Sequence, residues 1–154
     1  MKIDKFQISK RTFIIAEIGN NHNGSFQKAK LMIDKAIDIG VDAVKFQMRH
    51  IEEVYRSKSL SRKGDDLGTE YVLDLLDKFE LSQAEHRELS EYCKERKILY
   101  MCTPWDLKSI DVLESFNVKA YKVASADLTN IPPINEFIST NKPLILSTGM
   151  STEL

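Results

Sequence analysis

Five short apolar runs, each ending in a polar residue and each separated from the next by a helical pattern, confine this chain to a narrow set of folds. Thr12 to Ala16 runs into Glu17, and Ala43 to Phe46 into Gln47. Ile98 to Cys102 runs into Thr103, Ala120 to Ala124 into Ser125, and Leu144 to Leu146 into Ser147. Strands this brief and apolar suit a parallel sheet covered by helices. A doubly wound sheet and a (β/α)8 barrel share this local grammar, but barrel enzymes gather their polar residues at the carboxyl ends of the strands. No G-x-G-x-x-G follows any run, which argues against a dinucleotide-binding unit. The reading is therefore α/β, a partial (β/α)8 TIM barrel comprising its first five β-strands and the intervening helices. Residues 1–11 form an N-terminal arm and residues 12–154 the barrel portion. A complete barrel has eight strands and about 250 residues, so a chain of 154 residues leaves its last strand as an open edge able to pair with another copy.

Helix signals punctuate the runs. Ser25 caps a helix to about Ile39, with Ala29, Ile33, Ala36 and Ile37 on one face, and Gly40 closes it. Ser82-Gln83-Ala84-Glu85 is a capping box opening a helix to about Lys97, with Leu89 and Cys93 facing inward. Asp106 caps a helix to Phe116, and Pro132-Pro133 leads one to about Ser139. A helix is expected near Glu70 to Phe79. The charged stretch before it, from Arg49 to Gly68, is too long for an ordinary connection and reads as a loop.

Two of the runs are near copies. Gly40-Val41-Asp42-Ala43-Val44-Lys45-Phe46 and Asn117-Val118-Lys119-Ala120-Tyr121-Lys122-Val123 share the order turn residue, Val, charged, Ala, apolar, Lys, apolar. Alternation along the first places Ala43, Lys45 and Gln47 on one face, opposite Val44 and Phe46. An ammonium inside an apolar strand is costly without a partner. Two at one register on parallel strands point into one space. Such a pair, with the hydroxyls of Thr103, Ser125 and Ser147 and nearby helix N-termini, reads as a site for phosphate or carboxylate. The structural alternative is two lysines paired with carboxylates such as Glu17, and a Schiff-base lysine is a third reading. Glu17 and Asp127 could handle a proton or hold a sugar hydroxyl; they could equally serve as a salt-bridge partner and a turn cap. His22 reads as a hydrogen-bonded loop residue. His50 and His86 fall in the polar loop and on a helix surface and receive no role. Trp105 reads as cover for the rim.

The chemistry has to be local. Lys+Arg is 22 against Asp+Glu 23, a formal net charge of -1, so no global field draws in nucleic acid or an anionic membrane. The first residues are too polar for a secretory signal and no run is long enough to span a bilayer, so a cytoplasmic location is expected. The separation of Cys93 and Cys102 fits no zinc or redox motif, and both read as buried small hydrophobes. No histidine pair has metal spacing.

Five motifs in order, each on its own strand, resemble the sialic acid synthase family. They are Ala16-Glu17-Ile18-Gly19-Asn20-Asn21-His22-Asn23-Gly24, Val44-Lys45-Phe46-Gln47, Cys102-Thr103-Pro104, Tyr121-Lys122-Val123-Ala124-Ser125 and Leu146-Ser147-Thr148-Gly149-Met150. The resemblance implies a (β/α)8 barrel that condenses phosphoenolpyruvate with an N-acetylated hexose, typically N-acetylmannosamine, to a nine-carbon 2-keto sugar acid and phosphate. Matching motifs would place Lys45, Thr103, Lys122, Ser125 and Ser147 on phosphoenolpyruvate, Gln47 and Asp127 on the sugar, and Glu17 near the reacting carbons. Asp127 follows Ser125-Ala126 where the better-known synthases carry Glu after Ser-Gly, which bears on the acceptor sugar. The resemblance also implies a divalent metal, manganese or magnesium, with ligands outside this chain. It further implies a homodimer whose C-terminal antifreeze-like domain is absent here, and a chain inactive alone. Two other readings stand beside it: a phosphoenolpyruvate-dependent condensing barrel of the 3-deoxy-octulosonate type, and a non-catalytic truncated product that self-associates.

Overall fold

The computed structural model describes residues 2–8, 10–55, 69–149 and 151–152, with side chains left undescribed at 69–72. A hairpin comes first, strands β1 (Lys2–Ile3) and β2 (Phe6–Gln7) pairing antiparallel. The parallel strands follow: β3 (Ile15–Gly19), β4 (Ala43–Met48), β5 (Leu99–Pro104), β6 (Tyr121–Val123) and β7 (Leu144–Leu146). Between them lie α1 (Phe26–Asp38), α2 (Ile51–Val54), α3 (Thr69–Phe79), α4 (Gln83–Glu95), α5 (Leu107–Ser115) and α6 (Ile131–Ser139). β3 pairs with β4, β4 with β5, and β6 with β7, all parallel, while β6 lies beside β5. Each new strand therefore joins the edge left by the last, and the order does not reverse as in a doubly wound sheet.

The helix starts are where the side chains put them. Ser25 Oγ accepts from Lys28 N at 3.3 Å. Ser82 and Glu85 complete their capping box, each side chain accepting from the other's backbone N–H. Asp106 Oδ1 accepts from Ser109 N at 2.7 Å. Gly24, at φ +74°, is a position that only glycine fits, because a Cβ there would stand 2.5 Å from the Lys78 carbonyl oxygen. That contact clamps the turn after β3 to the end of α3.

The two faces of the sheet carry different chemistry. Val44, Phe46 and Met48 of β4 face the helices and pack with Ile33, Leu89, Cys93, Ile110 and Leu113. Phe46 is the hub, stacked on Tyr100 with centroids 5.6 Å apart. The other face has an apolar floor of Ala43, Met101 and Ala120, all fully buried, with Ile15, Leu99 and Ile145 packed against them. Ile3 of the hairpin seals this floor from the amino ends of the strands. Residues 1–11, an arm by sequence, thus include a hairpin whose two-residue strands carry no periodic signal. Arg11 holds that segment in place through a 2.5 Å ion pair with Asp42, and this neighbour holds the Asp42 carboxyl below its usual range.

Three expectations are corrected. The stretch from Arg49 is not wholly loop: Ile51–Val54 is helical and the Arg49 side chain is only 4% exposed. Residues 56–68 of that expected loop lie outside the described residues. His50 is pinned, its backbone N–H and Nδ1 reaching Asp106 at 2.8 and 3.0 Å. His86 is not on a helix surface but fully buried, its Nδ1 2.8 Å from the Tyr100 hydroxyl and its ring edge-on to Phe46. His22 is buried as a loop residue; its Nδ1 accepts from Gly24 N at 3.1 Å, and burial, aided by His86, lowers its pKa. Both cysteines are buried and free, and desolvation pushes the Cys93 thiol up to about 12.

Candidate anion site at the carboxyl ends of the strands

Above the apolar floor, the same face of the sheet turns polar. Register sets Glu17 beside Lys45 and Gln47 beside Thr103. The Lys45 ammonium, on a side chain 6% exposed, lies 2.7 Å from Glu17 Oε2 and donates to Thr103 Oγ1 at 3.1 Å. On the next pair of strands, Lys122 Nζ donates to the Ser147 hydroxyl and, at 2.8 Å, to the Val123 carbonyl. Lys122 is partly buried, and its pKa is lowered first by desolvation and then by the positive charge of Lys45, with Glu17 acting in the other direction. Each lysine stands between two neighbours that pack into the helix-side core, so both lie on the opposite face of strands that neighbour β5 on either side.

Two groups are in contact: Glu17, Lys45 and Thr103 on β3 to β5, and Lys122 with Ser147 on β6 and β7. Gln47 stands on the same edge, but its amide oxygen is occupied by Nη2 of Arg49. Ser125 and Asp127 fall on a short 3-10 turn after β6. There Asp127 Oδ1 accepts from the side-chain Nδ2 of Asn130 at 3.4 Å, which is not the backbone cap weighed for it, and no described side chain links it or the Ser125 hydroxyl to the lysines. Trp105 lies against Arg49, its ring centroid 5.3 Å from the guanidinium carbon. Among the described residues no three His, Cys, Asp or Glu side chains gather to hold a metal ion. A separate cleft of about 470 Å³ opens at the amino ends of the strands, beside Lys94 and Lys119, remote from this cluster.

What the arrangement can do follows from its charges. Two cations face one carboxylate across a partly desolvated mouth, which leaves net positive potential and hydroxyl donors for an anion with several oxygens. Arg49 and Glu80 were missed from sequence. The signal that could have exposed Arg49 is its place directly after Met48, one step beyond the end of a strand buried except at Gln47.

A parallel α/β sheet with a cationic mouth at the carboxyl ends of its strands describes a class, and the comparisons narrow it. The chain belongs to the NeuB family, whose profile matches residues 32–154. It is 38% identical to N,N'-diacetyllegionaminic acid synthase of Campylobacter jejuni over 92% of this chain and 43% of that protein. It is 34% identical to human N-acetylneuraminate-9-phosphate synthase over 91% of this chain and 40% of that one. The crystal structure of N-acetylneuraminic acid synthetase from Leptospira borgpetersenii, a complex with citrate, superposes with a TM-score of 0.80 at 31% identity, over 91% of this chain and 45% of that chain. The chain therefore spans less than half the length of these relatives.

Proposed function

We propose that this chain supplies the phosphoenolpyruvate-binding part of a synthase that joins phosphoenolpyruvate to an N-acetylated hexose, releasing phosphate and a nine-carbon 2-keto sugar acid. What supports the reading is that Lys45 and Lys122 stand on the non-core face near the carboxyl ends of their strands, each against a hydroxyl. Phosphoenolpyruvate has a carboxylate and a phosphate on adjacent atoms, and two cations with intervening hydroxyls match that charge pattern. The names of the relatives support the product class. The in-order addition of strands and the hairpin under the inner face support a barrel of which these are the first five strands.

In this reading Lys45, Thr103, Lys122, Ser125 and Ser147 hold phosphoenolpyruvate. The enol carbon attacks the sugar aldehyde, water adds to the cationic carbon left behind, and phosphate leaves with its C–O bond broken. The lysines offset phosphate and carboxylate charge throughout. Glu17 stands at the mouth near the reacting carbons, while Gln47 and Asp127 face the sugar. The metal expected from the resemblance has no ligand set among the described residues. In the same reading the full-length protein is a homodimer.

Calorimetric titration of the chain with phosphoenolpyruvate is expected to show saturable one-to-one binding, and adding N-acetylmannosamine with manganese no turnover. Failure to bind phosphoenolpyruvate would overturn the assignment.

A further inference from the structure

Arg49 lies outside the lysine cluster yet controls one of its neighbours. Its side chain is buried and its Nη2 donates to Gln47 Oε1. It is anchored from behind by Glu80. Glu80 Oε1 accepts from the Arg49 backbone N–H at 3.2 Å, and its Oε2 lies 3.7 Å from Arg49 Nε. Among the described residues neither Arg49 Nε nor Glu80 Oε2 finds a hydrogen-bond partner, so the two hold each other by charge. Trp105 covers the guanidinium.

A guanidinium carries donors only. Whichever amide atom of Gln47 meets it must therefore be the oxygen, and Nε2 must face away. It does: a Cβ on Gly19 would stand 3.4 Å from Gln47 Nε2, so the N–H2 group looks toward Gly19 at the end of β3. An unrestrained glutamine offers either end of its amide. This one has been committed.

We propose that Arg49 is a positioning residue: by holding the Gln47 oxygen it turns the amide N–H2 into the donor at the sugar side of the site. The sugar atom docked against Gln47 is then an oxygen lone pair, of a hydroxyl or an N-acyl carbonyl. A donor-only group such as an ammonium is rejected there, and Lys45 repels it as well. The sugar part rests on the synthase reading; the orientation of the amide does not.

The test uses the full chain with glutamine side chains labelled with 15N. Only Gln7, Gln27, Gln47 and Gln83 then report, and Gln47→Glu assigns the signal of interest. In the wild type the Gln47 N–H2 pair is expected to be dispersed and rigid by heteronuclear NOE. In Arg49→Lys, which keeps a charge opposite Glu80 but offers a point donor instead of a fork, the pair is expected to move toward free-amide positions and lose order. The double variant Arg49→Met/Glu80→Gln, which leaves no buried charge unpaired, is expected to do the same. An unchanged Gln47 signal in both variants overturns the proposal. With phosphoenolpyruvate saturating, N-acetylmannosamine is expected to bind about tenfold more weakly to Arg49→Lys and to Gln47→Glu, the loss of one oriented hydrogen bond. Phosphoenolpyruvate affinity of Arg49→Lys is expected to stay within about twofold, since the Arg49 side chain contacts Gln47, Glu80 and Trp105 and keeps its charge. Undiminished sugar binding by Gln47→Glu, which keeps the Arg49 contact but has no donor, overturns the donor assignment. Absence of phosphoenolpyruvate binding in the wild type removes the synthase reading, while the amide signals still decide whether Arg49 orients Gln47.

Discussion

Lys45 and Lys122 occupy equivalent places in near-identical segments, yet they live in different surroundings. Lys45 is buried and already carries a carboxylate partner, Glu17, at 2.7 Å. Lys122 is more open, has among the described residues a hydroxyl and a carbonyl as partners, and its pKa is depressed. One cation is neutralised before any ligand arrives; the other is not. The difference teaches that the shared motif fixes position, whereas the neighbouring strand decides charge balance. β3 brings Glu17 to Lys45, and β7 brings Ser147 to Lys122. The uncompensated lysine is where an incoming anion gains most.

The largest effect is expected from Lys122→Met. Phosphoenolpyruvate affinity should fall roughly 100-fold, about 3 kcal/mol, the usual loss when one partner of a desolvated charge pair is truncated. Thermal stability should hold or rise, because a cation desolvated without a counter-charge is removed. A calorimetric affinity within a few-fold of wild type would break the comparison. Lys45→Met should cost less, about tenfold, since Glu17 already takes part of that charge; free Glu17 is 60% exposed and turns to water, so stability should change by about 1 kcal/mol or less. Glu17→Gln sharpens the same contrast with the opposite sign: phosphoenolpyruvate should bind about threefold more tightly as Lys45 is released. If Glu17→Gln weakens binding, Glu17 is not a competitor for Lys45.

The smallest effect is a pH dependence that belongs to Lys122. Its folded-state pKa lies below the ordinary lysine value of 10.5. Between the two values the unfolded chain binds the extra proton, so stability of the free protein should rise with pH across that window. A bound anion favours the ammonium, so the stabilisation given by phosphoenolpyruvate should fall as pH rises through the same window. Melting curves with and without phosphoenolpyruvate should therefore converge there, and the convergence should vanish in Lys122→Met.

Much of this was legible in the chain. The caps at Ser25, Ser82 and Asp106 and the limits of β7 were local facts, because one side chain near one backbone N–H suffices to set a helix start. The alternation of β4 assigned Lys45 and Phe46 to opposite faces correctly. His86 was misread because a histidine among charged residues on α4 gives no sign that the Tyr100 hydroxyl waits for it in the core. The Arg49–Glu80 pair was invisible for the same reason, since its partners are 31 residues apart and meet only when α3 folds back over β4.

By itself the sequence determined which residues could form strands, where helices begin, and that Lys45 and Lys122 would lie opposite their core-facing neighbours, since these depend on residue order and period alone. Only the tertiary structure decided which lysine is neutralised, which way the Gln47 amide points, and that Ile3 seals the floor of the inner face. Those outcomes depend on which distant side chain arrives within hydrogen-bond reach, and no local pattern records that.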